Sequence, residues 1–200
     1  MPRKWEVHLC LGCNFSKNVH AVLPELKKAM PEFEFEIVLM SLPWHFSAMH
    51  GMIIGHAAVA GGCDRDAYIS AVFAQQEKIL NNATVDLSRE QMFAIYADIA
   101  EQTSGGKVKK AELVQLAMTR KPIDYHMKAW AECKIGIAAG VMGSPKHVVD
   151  GKVLTGTDSA WGVAEYKAKA ASLPAPGVAK TRAIAAAAAL AVLALVLARR

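Results

Sequence analysis

The sequence predicts an α/β domain in which a helical block separates two halves of one sheet, followed by an apolar C-terminal segment. Three patterns support this prediction. A strand, a helix and a second strand follow one another at the start, helical periodicity dominates about residues 46–139, and a hairpin with an Asp150-Gly151 turn comes next. The chain of 200 residues is long enough for one domain with a substantial core, and it contains no internal repeat.

The first 40 residues read as two strands on either side of a helix. Residues 5–11 form the first predicted strand and residues 33–40 the second, which ends in a continuous apolar run. The helix between them is predicted over 15–30 from an apolar stripe at three- and four-residue spacing: Phe15, Val19, Val22, Leu23, Leu26 and Met30. Strand, helix and strand at this spacing favour a parallel βαβ unit.

Periodic apolar residues and terminal signals place the remaining elements. Helices are predicted at 65–82, 88–101, 108–118 and 124–139. Ser88 and Gln91 are spaced as a capping box. Strands at 146–149 and 152–154 flank a turn of the type I′ kind, and a last helix is predicted at 160–171.

The start of the first helix is the best candidate for a reactive centre. The helical register places Cys13 just before the first turn, near the N-cap, and Ser16 about one turn further on. A thiol at this position faces unpaired backbone N–H groups and the positive end of the helix dipole, and both favour the thiolate. The sequence therefore predicts a reactive Cys13.

Charge and cysteine spacing exclude several other classes. Lys180, Arg182, Arg199 and Arg200 supply most of the net charge of +5, and the rest of the chain has 19 basic and 18 acidic residues. We therefore expect no nucleic-acid partner. Four cysteines do not make a disulfide framework in a chain of this length, and no second Cys-x-x-Cys or His-x3-His accompanies Cys10-Leu-Gly-Cys13, so no metal site is predicted.

Several sequence blocks, in a fixed order over about residues 4–172, resemble a eukaryotic branch of DsbA-like thioredoxin-fold proteins with a Cys-x-x-Ser site. The blocks are Glu6-Val7 through Cys13-x-x-Ser16-Lys17; Leu42-Pro-Trp-His45 with Ala48; Gln75-Gln-Glu-Lys78 followed by Leu87-Ser88; and Val141-Met-Gly-Ser-Pro145 with Val148-Val-Asp-Gly151. The resemblance implies a thioredoxin-like fold with a DsbA-like helical insertion at about 46–139.

The resemblance also implies roles for individual residues. Cys13 aligns with the nucleophilic cysteine, and Pro145 aligns with a cis-proline whose preceding residue, Ser144, presents its backbone to an extended substrate. The second cysteine of dithiol members is replaced by Ser16, which cannot resolve a mixed disulfide but is expected to hydrogen-bond the Cys13 thiolate. A monothiol site of this kind forms mixed disulfides with glutathione or with protein thiols.

Two residues near this centre have more than one interpretation. Cys10 is either a small buried strand residue, the nucleophile of a literal Cys10-x-x-Cys13 motif, or a resolving thiol that approaches Cys13 from the strand side. His45 follows the second strand, where sites of parallel sheets gather, so it is either a substrate-binding residue or a polar anchor of its loop.

The leading functional hypothesis is thiol–disulfide exchange through Cys13 on protein thiols, with no resident cofactor and with glutathione as a candidate co-substrate. One alternative is a redox-inactive thioredoxin-like binding module or an accessory subunit of a membrane complex. Another is a glutathione-dependent transferase or isomerase.

The C-terminal segment is predicted to be a membrane anchor. Residues 1–172 form the domain and 173–182 a linker, and the 16 residues of 183–198 contain no polar side chain. At a rise of about 1.5 Å per residue such a helix spans about 24 Å, less than the roughly 30 Å of a hydrocarbon core, but the flanking basic residues extend it. An alternative is an alanine-rich helix that packs on protein. The sequence does not choose among mitochondrial, plastid and endoplasmic reticulum membranes.

Overall fold

The computed structural model describes residues 2–175. Its elements, in chain order, are β1 (Arg3–Leu9), α1 (Asn14–Ala29), β2 (Phe33–Leu39), α2 (Ala48–Ala60), α3 (Arg65–Ala74), a 3₁₀ turn (Gln76–Lys78), α4 (Asn81–Thr84), α5 (Arg89–Thr103), α6 (Lys110–Thr119), α7 (Tyr125–Ala138), β3 (Lys146–Val149), β4 (Lys152–Val153) and α8 (Val163–Ala171). The four predicted strands occur in the predicted order, and α2 and α4 are helices that were not predicted individually.

The chain divides into two compact units, residues 1–162 and residues 163–200. The first contains the sheet and helices α1 to α7. The described part of the second contains α8, a nine-residue helix. The predicted membrane anchor at 183–198 lies outside the described residues. Among residues 2–175, no helix is both long and apolar enough to cross a membrane.

The four strands form one sheet in the order β2-β1-β3-β4. β1 pairs in parallel with β2, as predicted, and antiparallel with β3. Trp5 in β1 is fully buried and packs against the rings of Phe33 and Phe35 on β2, at centroid distances of 5.0 and 5.3 Å. β1 thus lies between β2 and β3 in the sheet, and α1 follows it in the chain.

The hairpin between β3 and β4 has the predicted type I′ character. Asp150 and Gly151 both have positive φ, 48° and 78°, which this turn requires at its two central positions. The Asp150 carboxylate also accepts a hydrogen bond from Arg3 Nε at 2.9 Å, which ties the turn to the first residue of β1.

The region predicted as one helix over 65–82 is broken in the structure. α3 ends at Ala74, and Gln76 turns its amide inwards, where Nε2 donates to the carbonyl of Leu11 at 2.8 Å. The Gln76 side chain is buried. The helix break therefore coincides with a buried hydrogen bond between this residue and the turn before α1. Apolar periodicity alone did not predict this break.

The capping box of α5 is confirmed and provides a stability test. Ser88 Oγ accepts from the backbone N–H of Gln91 at 3.2 Å, and Gln91 Oε1 accepts from the N–H of Ser88 at 2.7 Å. We expect Ser88→Ala to lower the free energy of unfolding by about 1 kcal/mol, as loss of an N-cap usually does. Urea unfolding of S88A, Q91A and the double variant measures this. The double variant should cost less than the sum of the two single variants, and strict additivity would contradict reciprocal capping.

Candidate thiol site

The turn between β1 and α1 places Cys13 at the mouth of the helix. Cys13 is the N-cap residue of α1, with φ −101° and ψ 119°. Its N–H donates to the carbonyl of Cys10 at 3.0 Å, and its own carbonyl accepts from the N–H of Lys17 at 3.1 Å. The first bond closes the turn and the second begins the helix. The predicted position of Cys13 at the helix N-terminus is thus confirmed, with the side chain 5% exposed.

The loop before β3 lies against the Cys13 thiol. The Ser144-Pro145 peptide bond is cis, as the resemblance implied, and Cys13 Sγ lies 3.6 Å from the carbonyl oxygen of Ser144. The hydroxyl oxygen of Ser144 is buried and has no hydrogen-bond partner among the described residues. The structure therefore brings the predicted residues Cys13, Ser144 and Pro145 together.

Cys10 follows β1 directly and is fully buried, with its sulfur in contact with a histidine. Cys10 Sγ lies 3.1 Å from Nδ1 of His45, and His45 lies in the loop that follows β2. Burial raises the pKa of the Cys10 thiol to about 11, although backbone N–H groups near Leu42 and Gly12 act in the opposite direction. Burial also lowers the pKa of His45. In the resting protein both groups are therefore neutral at pH 7.

Ser16 is buried, and its hydroxyl has a role that the sequence did not predict. Ser16 Oγ accepts a hydrogen bond from the backbone N–H of Cys10 at 3.1 Å. This bond joins the first turn of α1 to the end of β1 and helps to fix the turn that carries both cysteines. The proposed hydrogen bond from Ser16 to the Cys13 thiolate remains a prediction.

Phe15 belongs to the apolar stripe that predicted the first helix, but its ring is not buried. The ring is 61% exposed and lines a cavity of about 260 Å³ together with Pro145, His147, Thr157, Asp158 and Ser159. At the start of α1 the buried residues are Ser16 and Val19. Phe15 precedes Ser16 and lies on the side of the helix that faces solvent. An exposed aromatic ring next to the cis-proline loop extends the candidate site beyond the thiol.

Further large apolar side chains lie exposed on the loops that reach Cys10 and Cys13. Trp44 and Phe46 flank His45, and Met142, in the loop before Pro145, is 83% exposed. Solitary exposed apolar residues are ordinary. Here they come from two loops that both contact the cysteine turn, because His45 touches Cys10 and Ser144 touches Cys13.

Comparison with known proteins identifies the fold. No family model matches the chain, and no curated protein matches its sequence. Solved structures do match. A candidate protein-disulfide isomerase of Pseudomonas syringae superposes with a TM-score of 0.65 at 23% identity, covering 84% of this chain and 93% of that one. BdbD of Bacillus subtilis, in its oxidised form, superposes with a TM-score of 0.63 at 15% identity, covering 84% and 85% of the two chains. DsbA of Chlamydia trachomatis gives a TM-score of 0.61 at 14% identity, with 84% of each chain covered.

The chain has a DsbA-like thioredoxin fold. The insertion between the two halves of the sheet consists of helices α2 to α7, which confirms the predicted helical block. Within this DsbA-like fold, the described residues contain no group of histidine, cysteine and acidic side chains placed to hold a metal ion.

The other two cysteines lie outside the buried cluster that contains Cys10 and Cys13. Cys63 Sγ contacts the backbone carbonyl of Asp64, and Cys133 Sγ lies 3.8 Å from the sulfur of Met52. All four cysteines are free thiols. The sequence analysis did not single out Gly12, Phe15, Gln76, His147 or residues 157–159 as members of the site. A Cβ at Gly12 would approach the Cβ of His45 to 3.0 Å, so the small residue there allows the histidine loop to pack on the turn.

Proposed function

We propose that this protein carries out thiol–disulfide exchange through Cys13. The observation that carries the proposal is the position of Cys13 at the N-terminus of α1 with its sulfur 3.6 Å from the Ser144 carbonyl, beside Pro145. Helix N–H groups stabilise a thiolate, and the thiolate is the form that attacks disulfides. The DsbA-like fold is shared with MdbA of Corynebacterium diphtheriae, which is described as a thiol-disulfide oxidoreductase, and this supports the same conclusion.

The proposed first step is a displacement at sulfur. The Cys13 thiolate attacks one sulfur of a substrate disulfide, the substrate S–S bond breaks, and one substrate thiolate leaves. Cys13 is then joined to the other half of the substrate in a mixed disulfide. A second thiol must attack that bond to regenerate the site, because Ser16 cannot do so. Glutathione is a candidate co-substrate for this role.

Protein chains with exposed apolar side chains are the proposed substrates. Phe15 and Met142 lie on the two segments that meet at Cys13, and an extended chain that pairs with the Ser144 backbone would pass between them. Unfolded or partly folded proteins present both the extended backbone and the apolar side chains that such a surface binds.

Two finer assignments complete the proposal and rest on the sequence alone. The Cys13-Asn-Phe-Ser16 pattern suggests a eukaryotic Cys-x-x-Ser branch within the DsbA-like fold. The apolar residues 183–198 suggest membrane association of the full chain, in a mitochondrial, plastid or endoplasmic reticulum membrane. Flotation with lipid vesicles, comparing the full chain with a chain ending at residue 175, tests the second assignment.

The function is tested by a Cys13→Ser variant in a disulfide-exchange assay. We expect wild-type protein to reduce a fluorescent peptide disulfide and C13S to lose at least about 100-fold in rate, because the thiolate nucleophile is gone. Cys63→Ala is the matched control, since it removes a buried thiol away from the site, and it should retain full activity.

Two results would contradict the proposal. One is a C13S variant that keeps its rate. The other is wild-type protein that reacts no faster than free cysteine, which would favour the redox-inactive binding module instead. Circular dichroism of both variants verifies that they are folded.

A further inference from the structure

We infer that Cys10 is the thiol that resolves the Cys13 mixed disulfide, and that His45 accepts the Cys10 proton as it does so. The inference rests on the proposed function and deepens it. It makes the site a dithiol, in which the nucleophile is Cys13, the second cysteine of Cys10-Leu-Gly-Cys13. The resolving thiol then comes from the strand side of the turn, and Ser16 has a structural role.

The turn geometry brings the two cysteines within disulfide reach. The hydrogen bond from the Cys13 N–H to the Cys10 carbonyl, at 3.0 Å, closes a four-residue turn, and such turns hold their end Cα atoms less than about 7 Å apart. Disulfides span Cα separations of about 4.4 to 6.8 Å. Both side chains also belong to one buried cluster, which comprises Cys10, Cys13, Met40, Leu42, Ala48, Val141 and Val148.

Electrostatics alone does not choose the partner of Cys10, because a charge on Cys13 and a charge on Cys133 both raise its pKa, in addition to the larger effect of burial. Cys63 and Cys133 lie outside the cluster and contact Asp64 and Met52 instead. Of the three remaining cysteines, Cys10 alone shares a turn and a cluster with the nucleophile.

His45 is placed to remove the proton that makes Cys10 a poor nucleophile. Its Nδ1 lies 3.1 Å from Cys10 Sγ, and a neutral ring with its proton on Nε2 accepts the S–H there. A fully buried thiol without such a base would need solvent to take its proton. The absence of a side chain at Gly12 lets the histidine approach this closely.

The proposed step balances within the protein. The Cys10 proton moves to His45 Nδ1, Cys10 Sγ attacks Cys13 Sγ, the new S–S bond forms and the bond from Cys13 to the substrate sulfur breaks. The departing substrate thiolate then takes the proton from the imidazolium. The two cysteines are oxidised to a disulfide and supply the two electrons that reduce the substrate disulfide to two thiols.

The test uses the full chain with Cys63 and Cys133 both changed to alanine, so that only the two site thiols remain. The reduced protein is mixed with Ellman's reagent as the disulfide probe. We expect about two thionitrobenzoate ions released per protein and an internal disulfide by mass spectrometry, whereas Cys10→Ala should release about one and keep the adduct. Cys10→Ser serves as a second variant if C10A does not fold.

The role of His45 is read from the separate rates of the two releases. In His45→Ala the first release should keep its rate, and the second should slow by at least about 100-fold, the lower end of the contribution of a general base. His20→Ala is the matched control, because this half-buried histidine contacts Ser70 and Phe73 away from the site, and it should change neither rate.

The outcomes separate the inference from the proposed function. A persistent adduct on Cys13 without an internal disulfide would overturn the role of Cys10 and leave the nucleophile in place. No reaction at Cys13 would overturn the proposed function itself. Equal slowing of both releases in H45A would show that His45 only supports the turn, and that result would overturn its role as a base.

Discussion

Replacing Glu132 by alanine is expected to lower the free energy of unfolding by about 2 to 4 kcal/mol, because it removes the central member of a partly buried network of polar side chains. Glu132 Oε1 accepts from the N–H of Leu39 at 2.8 Å and from Arg65 at 2.6 Å, and His56 Nε2 lies 2.9 Å from Oε2. One carboxylate thus joins α7 to the end of β2 and to two helices of the insertion.

The physical reason for the size of this effect is burial. Desolvation raises the pKa of Glu132, but His56, Arg65 and the Leu39 N–H outweigh it, so the net pKa is lowered and the carboxylate is charged. Without it, the buried N–H of Leu39 loses its partner, Arg65 loses its counter-charge and His56 loses a polar contact. The exposed ends of Arg65 and His56 keep the cost below that of a fully buried pair.

Guanidinium unfolding measures this effect, with two companion variants. Glu132→Gln keeps an oxygen for the Leu39 N–H and should fall between wild type and E132A. Glu25→Ala, at an exposed position in α1, should stay within about 0.5 kcal/mol of wild type. A cost for E132A below 1 kcal/mol would mean that the network contributes little to stability.

The second large effect is a loss of stability in acid that depends on His147. This residue in β3 is 1% exposed, and its Nδ1 accepts from Trp5 Nε1 at 3.1 Å. Burial lowers its pKa from 6.5 to about 4, with smaller contributions from His8 and Lys146. The folded protein therefore keeps this imidazole neutral at a pH where the unfolded chain has already bound the proton.

The direction of the effect follows from that difference. With a lowered folded-state pKa, the stabilising contribution is present above the unfolded value of about 6.5 and is lost progressively as the pH falls to about 4. Between pH 7.5 and pH 4.5 the loss from this one group amounts to about 2 to 3 kcal/mol.

Urea unfolding at a series of pH values tests the assignment. His147→Asn places an amide oxygen near the position of Nδ1, so it keeps an acceptor for Trp5 and removes the titrating group. We expect the H147N curve to be flatter than the wild-type curve by about 2 kcal/mol over this range. His20→Ala is the comparison at another histidine with a lowered pKa, and it should change the slope less. Parallel curves for H147N and wild type would contradict the assignment.

Local features of the fold were predictable because their causes are local. The capping box at Ser88 and the positive φ values at Asp150 and Gly151 follow from side chains within four residues. The parallel pairing of β1 and β2 follows from a short connection that contains one helix. The end of α3 was not predictable in the same way, because the amide of Gln76 bonds to Leu11, far away in the sequence.

The candidate site also has some features with local causes and others that depend on long-range packing. Helix register places Cys13 at the N-cap of α1, because an apolar stripe with the right period fixes where the helix begins. Phe15 fitted that stripe as well as Val19 did, and only packing decides that one is exposed and the other buried. Periodicity predicts which face of a helix is apolar. It does not predict which residues on that face are covered by neighbouring elements.

For the two cysteines, the amino-acid sequence by itself determined that one of them begins a helix and that a serine stands where a second helix cysteine would be. It left the role of Cys10 open between a packing residue and a participant. The tertiary structure decided what surrounds each sulfur, the Ser144 carbonyl for Cys13 and the His45 ring for Cys10. These contacts join segments that are 131 and 35 residues apart, so they depend on how the loops pack against the turn and not on any pattern within it.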